Sequence, residues 1–305
     1  MLIKSFQEAE EMARKAGPKK MSVLRAENKE FLLALKEAYE RGYGEPVLIG
    51  EERKIREIAG EIGFDISNFA VIDSRDPQEV ADCGVRLAAT GETDFVLRGY
   101  IYGPPFYSAL IKSTSDREGK RQISAVCLLE FAVLPKFIAI TDPGLAVAPD
   151  FAAKMEIIKN AVNLLSRLGY ESPQVGIIAA QRGLNDDLVS VSDANRIREA
   201  FEQGELPGCS LAEGLTISDF LLGEDGFLES FDRVDYSRMP DILLVHNLEF
   251  GNIFVKVDSL AERDFFSGVR RHSFIVGAGI PIVAPSRSDT HETIITEIAL
   301  GVLIS

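Results

Sequence analysis

Cysteine and histidine are scarce in this chain of 305 residues, with three of each. The cysteines stand at Cys83, Cys127 and Cys209. So odd and sparse a set builds no disulfide framework, and none belongs to a C-x-x-C pair. They read as small buried hydrophobes in a reducing compartment, and a cytoplasmic location is expected. The histidines are scattered at His246, His272 and His291, so no metal site is expected. Positive charge is also short: 33 Lys and Arg against 47 Asp and Glu leave a net charge of −14. Such a surface repels a phosphate backbone, and no nucleic-acid partner is expected. A single pocket can still concentrate positive charge for a small anion. Long apolar runs are missing too. The stretch Phe131–Pro149 is broken by Lys136 and Asp142 and falls short of a membrane span, so no membrane partner is expected. Lys4, Glu8, Glu10, Glu11, Arg14 and Lys15 rule out an apolar signal core in Met1–Ala16. G-x-S-x-G, Walker A and strand-linked G-x-G-x-x-G motifs do not occur, so hydrolase, P-loop and dinucleotide readings lack their signatures.

The balance that remains, 46% hydrophobic and 26% charged, is that of a globular protein. The length suits two domains or one large one. Short apolar runs alternate with helix-period segments. Strands are predicted at Met21–Arg25, Pro46–Ile49, Ala70–Asp73, Thr93–Arg98, Gln174–Ala180, Ser210–Glu213, Asp241–Val245, Ser273–Gly277 and Pro281–Ala284. Ile123–Glu130 and Phe137–Thr141 read as paired strands. Helices are predicted at Asn28–Arg41, Glu51–Ile62, Pro77–Ala89 behind an Asp76 cap, Pro104–Lys112, Asp150–Leu168, Asp193–Gln203 and Thr290–Leu303, with one more starting near Gly251–Asn252. Arg182–Ser192 and Glu224–Arg238 read as surface loops. This alternation argues for mostly parallel sheets in an α/β fold. The strands DILLV and PIVAP lack clean alternation, as expected when both sheet faces are covered.

In open α/β sheets, ligands bind beyond the carboxyl ends of strands. The polar residues there are Arg98-Gly99, Asp142, Gln181-Arg182, His246-Asn247 and Ser286-Arg287. Each alone suits an ordinary cap, and a lone His246 suits a hydrogen-bonded structural role. Two clusters rise above that. Gly251-Asn252 at a strand-to-helix turn can aim backbone N–H groups at an anion, while Asn252 suits a helix cap equally. In Ser286-Arg287-Ser288-Asp289, the serine offers a hydroxyl and the arginine a cationic fork for phosphate. Asp289 or Thr290 reads as the cap of the last helix.

At these clusters the sequence resembles a known family. The segments PDILLVHNLEFGNIFVK (Pro240–Lys256) and GAGIPIVAPSRSDTHETIITEIAL (Gly277–Leu300) are similar to the C-terminal part of the phosphate acetyltransferase and phosphate butyryltransferase family. TDPGLAVAPDFAAKMEIIKNAV (Thr141–Val162) resembles the segment that opens its second domain. GETDFVLRGYIYGPPFYSALIK (Gly91–Lys112) is similar to one carrying a substrate-side turn. Order and spacing match over nearly the whole chain.

The resemblance implies two three-layer α/β/α domains with mostly parallel sheets around a central cleft, like isocitrate and isopropylmalate dehydrogenases. Residues 1–140 with 287–305 would form one domain, and 141–286 a second, dimerising one. It implies transfer of a short acyl group, acetyl or butyryl, between coenzyme A and inorganic phosphate, without cofactor or metal, by a homodimer. Ser286 and Arg287 match the family's Ser-Arg pair, implied to stabilise the oxyanion or thiolate and to bind phosphate. Gly251 and Asn252 match its Gly-Asn turn. Arg98, Gly99 and Asp142 fall at substrate-binding positions. Some positions depart from the family. Ser108 stands where an Arg is usual, Ala125 where a His is usual, Ala146 or Val147 near a usual Asn, and His246-Asn247 where Pro-Asp is usual. These departures support an alternative, a non-catalytic or repurposed member that binds acyl-CoA or a phosphate-bearing ligand within a larger complex.

Overall fold

The computed structural model describes residues 2–115, 122–181, 188–222, 236–260 and 269–305, with side chains at 115, 222 and 257–260 left aside. The chain divides into two compact units whose segments interleave. One, the interrupted unit, takes Phe6–Arg121 and His272–Ser305; the other, the inserted unit, takes Met1–Ser5 and Gln122–Arg271.

The interrupted unit begins with α1 (Phe6–Ala16). It continues through β1 (Lys19–Leu24), α2 (Lys29–Glu40), β2 (Gly44–Gly50), α3 (Glu52–Glu61), β3 (Val71–Asp73), α4 (Pro77–Ala89), β4 (Phe95–Leu97) and α5 (Gly103–Ser115). The predicted caps are present: Asn28 accepts from the Phe31 N–H and Asp76 from those of Gln78 and Glu79. Each satisfies N–H groups that the first helical turn leaves without a carbonyl. The inserted unit carries β5 (Ser124–Phe131), β6 (Phe137–Thr141), α6 (Phe151–Arg167), β7 (Gln174–Ile177), α7 (Val189–Glu202), β8 (Ser210–Leu211), α8 (Ile217–Leu222), β9 (Ile242–Leu244) and α9 (Leu248–Leu260). Strand β10 (Val269–Val276) spans the boundary between segments, and β11 (Ile282–Val283) and α10 (His291–Ile304) complete the interrupted unit.

In the interrupted unit the strands run β3-β2-β1-β4-β11-β10, parallel except for the β10–β11 pair. Register places Val23 beside both Leu48 and Leu97, and Val96 beside Ile282. In the inserted unit the order is β5-β6-β9-β7-β8, with an antiparallel β5–β6 hairpin and parallel pairs elsewhere. β6 and β9 are buried at every position, which is why their sequences read as unbroken apolar runs. The inserted unit's core gathers Cys127, Leu129, Ile138, Ile140, Phe220, Leu243 and Val245 among others.

Several sequence expectations are corrected here. Cys127 is buried as expected, but Cys83 and Cys209 are only half-buried; none of the three is in a disulfide among the described residues. The sequence boundaries at 140/141 and 286/287 differ from the observed segments. The β5–β6 ladder keeps both strands in the inserted unit, and β11 pairs within the interrupted one. α7 begins at Val189, so the end of the Arg182–Ser192 stretch is helical, while residues 182–187 lie outside the described residues. Of Glu224–Arg238, only Tyr236–Arg238 is described, and it forms one 3-10 turn. Helices α1 and α8 carried no expectation. Among the described residues no helix is long and apolar enough to cross a membrane.

Candidate active site

The predicted site residues fall into two groups, one in each unit. In the interrupted unit, β4 delivers Arg98 and Gly99, and β11 delivers Ser286 and Arg287. The Arg98 N–H donates to the Val283 carbonyl at 2.9 Å, so the two strand ends are tied by a backbone bond just before the site begins. A Cβ on Gly99 would lie 1.9 Å from the Leu24 carbonyl oxygen, so only glycine lets the chain turn this close to β1. After that turn come Tyr100, Tyr102, Phe106 and Tyr107. The Arg98 guanidinium sits 5.6 Å from the Phe106 ring centre and 5.8 Å from that of Tyr107. It donates to the Ile101 carbonyl at 3.3 Å, while its Nε is buried without a hydrogen-bond partner. Arg287, exposed, lies 4.6 Å from the Tyr102 ring centre and 5.9 Å from that of Tyr100. Cations held over ring faces are attracted by the ring quadrupole. Burial pushes the Arg98 guanidinium below its ordinary value; the Tyr107 phenol opposes this, and the positive charge of Arg287 adds to it. Among the described residues neither arginine has a carboxylate partner.

Ser286 is held by its neighbours. Its N–H donates to the Asp289 carboxylate at 2.6 Å, the Asp289 N–H returns to the Ser286 carbonyl at 3.2 Å, and its hydroxyl lies 3.1 Å from that of Ser288. Asp289 therefore closes the Ser286 turn, and Thr290 takes the N-cap position of α10 without its side chain accepting a helix N–H. The Glu30 carboxylate accepts the His291 N–H of that helix at 2.9 Å instead.

In the inserted unit, Asp142 follows β6 and is 2% exposed. Its carboxylate accepts from the N–H groups of Gly144 and Leu145 at 2.9 Å and Ala146 at 3.0 Å, and also from Ala125. Burial pushes its carboxyl above the usual range, against the pull of those four bonds. Gly251 lies inside α9, not at its start: the helix opens at Leu248, and Asn247 accepts the Phe250 N–H at 2.9 Å as its cap. The expected helix start at Gly251–Asn252 is thus one turn late, because the cap is the asparagine after His246. A Cβ on Gly251 would lie 2.7 Å from Val245 and 2.8 Å from the Pro143 Cα, and the Asn252 amide donates to the Pro143 carbonyl at 3.3 Å. Gly251 and Asn252 therefore clamp the turn that Asp142 folds. Of the other residues named at strand ends, Gln181 is exposed and Arg182 lies outside the described residues.

One cluster escaped sequence reasoning. The Lys154 ammonium, 2% exposed on α6, pairs with the Asp193 carboxylate of α7 and lies 3.1 Å from His246 Nδ1. The signal was a lysine in the apolar stripe of α6, one turn before Ile157 and Ile158. Among the described residues no group of three or more His, Cys, Asp or Glu side chains could hold a metal ion.

An arginine pair without carboxylate partners among the described residues, at the strand ends of an α/β unit, has the chemistry that suits small anions. The comparisons with known proteins give the class. Residues 78–302 match the family described as phosphate acetyl/butaryl transferase, and the chain belongs to that family. It is 28% identical to a phosphate butyryltransferase of Clostridium acetobutylicum over 100% of this chain and 99% of the relative. It is 26% identical to a phosphate acetyltransferase of Thermotoga maritima over 97% and 98%. A solved phosphotransacetylase of Streptococcus pyogenes shares its fold with a TM-score of 0.77 at 15% identity, covering 98% of each chain. The protein is accordingly a transferase, and its expected mostly parallel α/β fold is the one observed.

Proposed function

We propose that the protein moves a short acyl group, acetyl or butyryl, between coenzyme A and inorganic phosphate. A phosphate oxygen attacks the thioester carbonyl, a C–O bond forms, and the C–S bond breaks. The thiolate leaves as coenzyme A and takes up the proton lost by phosphate. Such chemistry needs cationic forks for phosphate and donors for the oxyanion, both fixed in advance. The observation that carries this reading is the Arg98–Arg287 pair, two guanidiniums backed by aromatic rings and without carboxylate partners among the described residues. Arg287 binds phosphate and Arg98 reinforces the positive field. Ser286, fixed by Asp289, donates its hydroxyl to the oxyanion or the thiolate. Gly99 gives the backbone turn that sets both tyrosines under Arg287. Asp142, Gly251 and Asn252 shape the turn beside His246, since their polar groups are engaged with the backbone. No resident cofactor is needed, coenzyme A being a substrate. Following the family resemblance, the working form is a homodimer in the cytoplasm.

The test is thiol release from a panel of short acyl-CoAs, with and without phosphate. Phosphate-dependent release is expected, ranked by acyl chain. No release, with coenzyme A binding still measurable by calorimetry, would replace the reading with that of a non-catalytic binding protein.

A further inference from the structure

Tyr100, Tyr102 and Arg287 all belong to the interrupted unit, and the turn that carries the two tyrosines is fixed from its middle residue. Ile101, between them, is 2% exposed. Its N–H donates to the Gly99 carbonyl at 2.7 Å, and its carbonyl accepts from the Arg98 guanidinium at 3.3 Å. With Ile101 buried and tied at both backbone groups, its neighbours are left in solvent: both tyrosines are exposed, Tyr102 by 62%. A ring so far in water adds little by burial. What the two rings do meet is the Arg287 guanidinium, 4.6 Å from the ring centre of Tyr102 and 5.9 Å from that of Tyr100.

How an arginine is held decides what it can offer an anion. A carboxylate partner fixes the guanidinium, but it also cancels the charge and occupies the donors that phosphate uses. Among the described residues Arg287 has no such partner. An arginine held by nothing loses its side-chain freedom only when the anion arrives, at the expense of affinity. A ring face avoids both costs, since it attracts the cation through its quadrupole, carries no net charge and leaves the N–H groups free. We propose that Tyr102 is a positioning residue for phosphate: its ring face, with Tyr100 beside it, holds the Arg287 guanidinium ready while leaving its charge and donors to the anion. This rests on the reading above in which Arg287 binds phosphate. Gly99, Arg98 and Ile101 serve the same end one step back, because they fix the turn from which the rings stand out.

The experiment follows the Arg287 side-chain N–H by proton–nitrogen correlation of the arginine-labelled full chain, with Arg287→Lys to assign the signal, as inorganic phosphate is added. In the wild type the signal should show an upfield ring-current shift and should move with phosphate, giving a dissociation constant. Tyr102→Leu should remove most of the ring-current shift and weaken phosphate about fivefold, the size of a largely exposed cation–π contact. Tyr102→Phe, which keeps the ring without its hydroxyl, should recover most of both. Tyr102→Glu holds the arginine by opposite charge instead, so it should bind phosphate more weakly than Tyr102→Leu. A packing role at so exposed a position would not produce that order. In thiol-release kinetics the effect of Tyr102→Leu should fall on the KM for phosphate, with kcat changed less than about twofold. The proposal is overturned by an Arg287 signal that ignores phosphate, by equal dissociation constants in wild type and Tyr102→Leu, by a Tyr102→Phe variant as weak as Tyr102→Leu, or by a Tyr102→Glu variant as tight as wild type. A wild type whose Arg287 binds phosphate with the expected order among the variants, yet releases no thiol, overturns the acyl-transfer reading alone.

Discussion

At the scale of single residues, each unit's group of strand-end residues has its own pattern of partners. Arg98 and Arg287 stand on aromatic faces, while Asp142 spends its carboxylate on backbone N–H groups. Arg287→Ala should therefore abolish turnover while leaving the fold intact, because its side chain is exposed and stands over the rings of two tyrosines. Circular dichroism and the thiol-release rate check this, and retained turnover would remove Arg287 from the site. Ser286→Ala should cost about 10²–10³-fold in kcat, the effect of losing one oxyanion donor. An unchanged rate would take its hydroxyl out of the mechanism. His246 ties stability to pH. Its basicity in the folded chain lies below the ordinary value of 6.5, so the unfolded chain binds the proton more readily. Stability contributed by this residue is complete above 6.5 and is lost as pH falls toward the folded value. Comparing thermal unfolding of wild type and His246→Gln between neutral and mildly acid pH should show the steeper decline in the wild type. Equal slopes would contradict it.

At the scale of elements, α4 is defined at both its start and its inner face: Asp76 caps it, Pro77 opens it, and Val80, Ala81, Val85 and Leu87 are buried. Asp76→Ala should destabilise the protein by about 0.5–2 kcal/mol, read from urea unfolding, since two N–H groups lose their acceptor. An unchanged midpoint would show the cap to be redundant. What was legible in the sequence follows the same physics. Helices with a capping side chain and a strong apolar stripe, α2, α4 and α6, lie within a residue of their predicted bounds. α1 went unread because its buried stripe is Phe6, Ala9 and Ala13, too small a signal beside Glu8, Glu10, Glu11, Arg14 and Lys15. α9 was read one turn late because a glycine that packs against Pro143 looks, in sequence, like a helix-starting turn. Arg98, Gly99, Ser286 and Arg287 were legible since each lies within a few residues of a strand's carboxyl end. The Lys154–Asp193–His246 cluster was not, because it joins residues 39 and 92 positions apart that only the fold brings together.

At the scale of the whole molecule, a net charge of −14 surrounds a site for anions. The Debye length is about 30 Å at 0.01 M salt and about 8 Å at 0.15 M. Added salt over that range screens the distant carboxylates far more than the arginines a few ångströms from a bound anion. The kcat/KM for acyl-CoA should accordingly rise as salt increases from about 0.01 M to about 0.15 M, and a steady fall would show that local attraction dominates capture. The interleaved segments carry a different consequence, one that concerns the order in which the protein is made. β4 pairs with β11, and Gly301 of α10 lies against the Phe95 ring, yet β11 and α10 are synthesised only after the entire stretch Gln122–Arg271. The ribosome thus completes the inserted unit while the β4 edge of the other stands open and its phenylalanine uncovered. An unpaired apolar edge invites wrong partners, so the hazard for the nascent chain lies in that interval.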